Sequence, residues 1–528
     1  MPHFKHYSYD QTKLIPVDFR NQLQPGTFEF ALNQLVDEMD LSIFTGRFCN
    51  DDTGAPAYDP AILLKIVLFA YSRGITSSRE ISRACRENVV FMALAADSHP
   101  HFTTIARFIA SLEEEITPLF RNVILICSRE GLIGGQMFAI DGCKISSNCS
   151  KEWSGTRADL KKKAEKLDRS IRQVLSRHRQ ADRQEEAREK KRGGGGPSGG
   201  MRAKEARAIG RLRAKKAAFE EWLAENEDKR GARGKIKQSN VIDNESAKMP
   251  SSHGVIQGYN GLAMVDEKHQ VIVHSEAFGE GNENHLLGPM LEGTRENLAG
   301  LSRKRDPLRK AVLVGDSAYH SEENARMVLE SGIDAYLPDA RFRKRDPAFK
   351  TAKRHKRPVD RKGTVRTAKY FQVEDFTYDA EKGKLICPAG KELYVRNRNF
   401  WTKQGLRGVQ YMAKKTDCRV CDLRKQCLRR ATTVARQVVR FAGTDREGKQ
   451  PFRSKMIERF ESARGRFLYS RRMGIVEPVF GNICHALGLR YFSHRGKVKV
   501  DIQWKLFGMV HNLAKIARYG PRFALEAG

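Results

Sequence analysis

Apolar positions recur with a helical period through the first quarter of the chain. Phe28, Leu32, Leu35, Val36 and Met39 repeat at three- and four-residue spacing, which predicts an amphipathic helix. Tyr58, Asp59 and Pro60 read as the cap of a second helix, PAILLKIVLFAY, which is too short for a bilayer and carries Lys65. Shorter helices follow in SSREISRACREN and HFTTIARFIASLEEEI, parted by a loop at Asp97–Pro100. Residues from about Gly26 to Gly131 therefore read as helical. Small helices with such breaks suit a helix-turn-helix-like DNA-binding unit or a plain helical packing domain.

The period then changes. Met137–Ile140 reads as a strand closing on Asp141 and Gly142. Thr156–Arg233 is rich in Arg, Lys, Glu and Ala around a central Gly193–Gly200 stretch, which suggests an antiparallel pair of charged helices with a flexible tip; its low apolar content leaves partial disorder as the other reading. Gly258–Val265 and Gln270–His274 read as a hairpin turning through Asp266–His269, and a helix is expected from Asn284 to Leu291. Lys310–Gly315 reads as a buried strand ending on Asp316, Ser321–Ser331 as a helix capped by Ser321, and Ile333–Leu337 as one more strand. This alternation predicts an α/β fold with a mixed central sheet. Arg341–Lys369 is a basic arm, Tyr370–Arg440 holds a cysteine cluster, and Glu458–Ala517 is again helical.

Charge narrows the class. The 95 Lys and Arg against 63 Asp and Glu give a formal net charge of +32, which points to a long polyanion as partner. The N-terminus lacks the apolar core of a signal peptide, and ten cysteines in 528 residues are too sparse for a secreted disulfide scaffold. The expectation is a cytoplasmic, nucleoid-associated protein with no membrane partner.

Asp141 and Asp316 each follow a short apolar run, so each is delivered to the rim of a rigid sheet, as a metal site requires. The stretch Tyr469-Ser-Arg-Arg472-Met-Gly-Ile-Val-Glu477-Pro-Val-Phe-Gly then resembles the Tyr, Arg, Glu signature of bacterial insertion-sequence DDE transposases. The resemblance extends over FAIDGCKI, the GYN segment, VLVGDSAYH and VEPVFG, nearly the whole chain. It implies a ribonuclease H-like core in which Asp141, Asp316 and Glu477 bind divalent metal. It also implies double-stranded DNA partners, the element's terminal inverted repeats and the target, bound by a homodimer. Water would cut at the ends, and the freed 3′-hydroxyl would attack target DNA.

Three hard oxygen donors suit Mg²⁺ or Mn²⁺. Pro478 in a first helical turn would put Glu477 at a helix N-terminus, where the dipole favours its ionised form. Arg472 would contact a DNA phosphate, and Tyr469 would stack on a base or bond a phosphate; a surface cation and a core aromatic are the alternatives. Two departures stand out: four residues separate Arg472 from Glu477 where three is commonest, and Cys484 replaces the Lys usual seven residues after the Glu.

Cys418-x-x-Cys421, with Cys427 and the upstream Cys387, offers four thiolates for a structural Zn²⁺; free thiols are the other reading. Cys49, Cys85, Cys127, Cys143 and Cys149 read as small core or strand-edge residues. The expected organisation is a helical DNA-binding domain over 1–131 and a catalytic domain over 132–528. The latter carries insertions at about 156–233 and 341–440. Two rivals remain: a catalytically impaired transposase-derived DNA-binding protein, and a ribonuclease H-like nuclease without strand transfer.

Overall fold

Apolar stretches on either side of the charged hairpin assemble one mixed sheet. The computed structural model describes residues 18–47, 56–192, 203–231, 234, 236–251, 254–301, 306–345, 370–371, 373–401, 407–430, 432–440 and 451–523. The Gly-rich tip, Cys49 and residues 346–369 of the basic arm lie outside them.

The sheet contains β1 (Met137–Ser146), β2 (Ala247–Ser251), β3 (Gly254–Asp266), β4 (Ile272–Phe278), β5 (Val312–Val314) and β6 (Asp334–Tyr336). Its order is β2-β3-β1-β5-β6, with β4 also on β3. β3 runs antiparallel to β1, β2 and β4, whereas β5 lies parallel to β1 and β6 parallel to β5. An antiparallel meander followed by two parallel crossovers is the mixed α/β arrangement expected of a ribonuclease H-like core. β3 is buried along most of its length rather than alternating, because helices cover both faces. On one face Gly293, in the helix Leu287–Leu298, lies against His274. On the other, Gly508 of the helix Lys497–Tyr519 lies against the next residue, Ser275. Gly261 is required here, since a Cβ would sit 2.9 Å from the Trp504 ring.

The N-terminal helices include Phe28–Asp37, Pro60–Ser72, Ser78–Glu87, Phe102–Ala110 and Ile116–Arg129. Asp59 caps the second through Ala61 N–H at 2.8 Å, and nearly all of that helix is buried. Tyr71 stacks on Phe507 at 4.9 Å between ring centroids. The N-terminal helices thus share a core with the last helix, and both fall in one compact unit: Met1–Tyr319, Met327–Leu337 and Ser462–Gly528. No helix among the described residues is long and apolar enough to cross a membrane.

The charged segment forms two long helices, Arg157–Arg192 and Ala203–Glu225. Leu160, Ala164, Phe219 and Trp222 pack at their base, and Lys216 pairs with Asp168 at 2.6 Å further along. A second compact unit, His320–Arg326 with Pro338–Glu461, contains the cysteines. Its five strands, β7 (Thr377–Asp379), β8 (Lys384–Ile386), β9 (Glu392–Trp401), β10 (Arg407–Ala413) and β11 (Gln437–Arg440), form an antiparallel meander. Phe376, Leu385, Leu393, Tyr411, Ala413 and Val438 make up its small core.

Candidate active site

Asp141 lies within β1 instead of closing it, because β3 continues to pair as far as Ser146. On the other edge, parallel pairing to β5 stops after Ala139 and Val314. Carrying that register two residues further sets Asp141 beside Asp316. Their carboxylates, with that of Glu283, each offer an oxygen within 4.8 Å of the others. Asp316 also turns the chain into the Ser317–Tyr319 helical turn by accepting from Ala318 N–H at 2.8 Å.

The helix Ala463–Gly481 delivers Arg472 and Glu477. Ser462 caps it at Gly465 N–H, 3.0 Å, and Arg464 reaches Asp334 at 3.1 Å and the Tyr336 hydroxyl at 3.2 Å. Its buried stripe runs Leu468, Arg472, Ile475, Val476 and Val479, so a guanidinium occupies an otherwise apolar face. Arg472 pairs with Asp141 at 2.6 Å, and its Nε is buried with no hydrogen-bond partner. Tyr469 is half-buried.

The expected N-terminal position of Glu477 is wrong: Pro478 lies inside the helix, in its last turns. A proline there leaves the carbonyl four residues earlier without its donor. That carbonyl belongs to Gly474, and Gln270 Nε2 supplies the missing bond at 2.9 Å. Glu477 therefore has no help from a helix N-terminus. It is exposed, stands outside the carboxylate trio, and is close enough for its charge to act on Asp141. A π-helical turn, Asn482–Ala486, follows and carries Cys484 inward to hydrogen-bond the Cys143 thiol.

Burial raises the pKa of Asp141 despite Arg472 and the Gly142 N–H, and the charges of Asp316 and Glu477 add to the rise. Burial and Asp316 likewise raise Glu283, against the pull of Asn260 and Lys144. These carboxyls repel one another, the electrostatic condition that a divalent cation relieves. The oxygen-only donor set fits such an ion. Glu283, at the end of the GEGNE stretch after β4, is absent from the sequence candidates; a lone Glu among turn-forming residues carries no signal of burial.

In the second unit, Cys387, Cys418, Cys421 and Cys427 line a single cavity of about 30 Å³. Burial raises the Cys427 thiol, the Arg436 charge opposes this, and the other three cysteines add to the rise. Among the described residues only the carboxylate trio brings three ligand atoms within 4.8 Å of one another, so the sulfurs share the cavity without closing to that spacing.

Two family models match the chain. Residues 17–111 match a Transposase domain (DUF772), and residues 386–517 match a Transposase DDE domain. The second covers the cysteines, Tyr469, Arg472 and Glu477, but begins after both aspartates. No curated protein matches the chain in sequence. With transposase domains matched near both ends and a carboxylate cluster at the crossover of a ribonuclease H-like sheet, the findings support an insertion-sequence DDE transposase.

Proposed function

We propose that Asp141, Asp316 and Glu477 carry out Mg²⁺- or Mn²⁺-dependent cleavage at the ends of an insertion sequence and join those ends to target DNA. The observation that carries this reading is the strand register that sets Asp141 beside Asp316, with a buried cation on the neighbouring helix. Bound divalent ions there would activate the attacking oxygen and stabilise the leaving one. Asp141 holds that charge on β1, and Asp316 just beyond the end of β5. Arg472 neutralises Asp141, and its guanidinium would turn to a phosphate oxygen of bound DNA once a metal ion takes over that carboxylate. Glu477, on the exposed side of its helix, completes the set with DNA in place. Tyr469, about two turns earlier on the same helix, contacts the DNA strand.

The same proposal assigns the four cysteines a structural Zn²⁺, supported by their shared cavity. It assigns the protein a homodimer on DNA, since two ends must be processed together. The test incubates full-length protein with end-labelled DNA carrying the element's flanks, a supercoiled target and Mg²⁺. Nicks at the ends followed by joined products are expected. Hydrolysis without joining would favour the nuclease, and binding without either the impaired protein.

A further inference from the structure

The structural roles open to a buried carboxylate leave Glu283 only one loose partner, the Asn260 amide. It precedes the helical turn Asn284–Leu286, yet its side chain makes no capping bond there. The nearest cation, Lys144, stands at 3.9 Å, beyond hydrogen-bond reach, and the Glu283 side chain is only 9% exposed. A carboxylate buried this far is normally paired or bonded. Here its closest ionisable company includes Asp141 and Asp316, each with an oxygen within 4.8 Å.

Asn260 is the second observation. It is fully buried on β3; its amide nitrogen is turned to the Glu283 carboxylate without completing a hydrogen bond, and its amide oxygen has no partner. It lies beside Glu283 and against Gly142, where a Cβ would come within 2.8 Å of its amide oxygen. A buried amide oxygen left without a donor is rare and points to an occupant that supplies one. A hydrated divalent cation fits, because its waters can donate to the amide oxygen while Glu283, Asp141 and Asp316 take inner positions.

We infer that Glu283 is a fourth carboxylate ligand of the catalytic metal site, binding the ion with Asp141 and Asp316 before DNA arrives. The inference rests on the metal-site reading above and extends it: these three residues load metal in the free protein.

The experiment measures Mn²⁺ binding to the full-length, DNA-free protein by the loss of the free-ion resonance signal, together with the Mn²⁺-induced rise in melting temperature. Glu283→Gln is expected to weaken Mn²⁺ affinity at least about tenfold and to abolish the thermal rise, without a lower melting point in chelator. Glu283→Asp, which keeps the charge on a shorter arm, should lose less, and serves if the Gln variant fails to fold. Glu296→Gln, remote from the site, should bind as wild type. Wild-type affinity in Glu283→Gln, with binding lost in Asp316→Asn, would overturn the inference and leave the metal site standing. Unchanged binding in both variants would overturn both readings.

Discussion

The carboxylates and the cysteines are two sets of candidate metal ligands built on opposite terms. Asp141 stands on β1 and Asp316 just past the end of the adjacent β5, in a sheet buried on both faces, with Trp504, Phe507 and the Leu287–Leu298 helix packed against it. That scaffold has an apolar core of its own, and an ion would answer the repulsion that the scaffold imposes. The cysteines sit on a thin meander with a small core, and three of them, Cys387, Cys418 and Cys427, pack against it as part of that core. There the metal would replace missing apolar burial. Catalytic ligands are held for the ion; structural ligands are held by it.

The largest effect that would break this contrast lies in the second unit. Purified protein should contain one zinc per chain, and Cys421→Ser or strong chelation should unfold residues 370–440. The apparent loss should be several kcal/mol, set against the roughly 10–16 kcal/mol of structural zinc sites. Limited proteolysis should cut there while the β1–β6 sheet stays intact. Zinc-free protein that resists proteolysis as well as the untreated chain would place the thiols in the ordinary core.

In the first unit the order reverses, with activity lost and folding kept. Asp316→Asn should lower end cleavage by about 10²–10³-fold or more with little change in melting temperature. Asp141→Ala is a poorer test, because it also strips the counter-ion from a guanidinium only 9% exposed, at a cost of about 3–5 kcal/mol. Glu477→Ala should match Asp316→Asn in cleavage; full cleavage would remove it from the catalytic set.

The legibility of these regions in sequence follows from their packing. Strands buried on both faces read as unbroken apolar runs, so Phe138–Ile140 and Val312–Val314 announced the two aspartates. The cysteine unit was legible only as spacing, because β9 reads ELYVRNRNFW, a mostly exposed strand with charges between its apolar residues. Pro478 misled because proline ordinarily marks a helix start, and the compensating donor, Gln270, lies far away in sequence. Glu283 stayed hidden because its burial comes from β3 and β1, not from its own neighbours in the chain.

Acid should separate the two units by a smaller margin. His511 is buried with its Nδ1 facing the Asn482 amide and its Nε2 facing the Gln270 carbonyl, a pairing that suits the neutral ring. Burial lowers its pKa from 6.5 to about 4, outweighing the backbone bond. Between those values the unfolded chain binds more protons, so this stability is full above about pH 6.5 and is lost as pH falls toward 4. The amount is on the order of 3 kcal/mol. Chemical denaturation followed by a probe in the first unit should show that slope, and His511→Asn should flatten it. An unchanged slope would assign the acid sensitivity elsewhere.

The smallest expected effect tests whether the active-site helix is held as firmly as the contrast requires. Gln270 holds a left-handed backbone at φ 60°, and its side chain bridges two helices. Its Nε2 donates to the Gly474 carbonyl that Pro478 leaves open, and its Oε1 accepts from Lys515 at 2.9 Å. Gln270→Ala removes both bonds and keeps the backbone carbonyl that His511 uses. Gly474 is exposed, so water can replace the lost donor, and the expected cost is only about 0.5–1.5 kcal/mol. Glu477 lies three residues beyond Gly474 on the same helix, so cleavage should fall further than so small a stability loss implies. Adding Pro478→Ala restores an N–H for that carbonyl and should recover part of both losses. A Gln270→Ala protein with full cleavage, or a double variant no better than the single one, would show that the helix holds Glu477 in place without this strut.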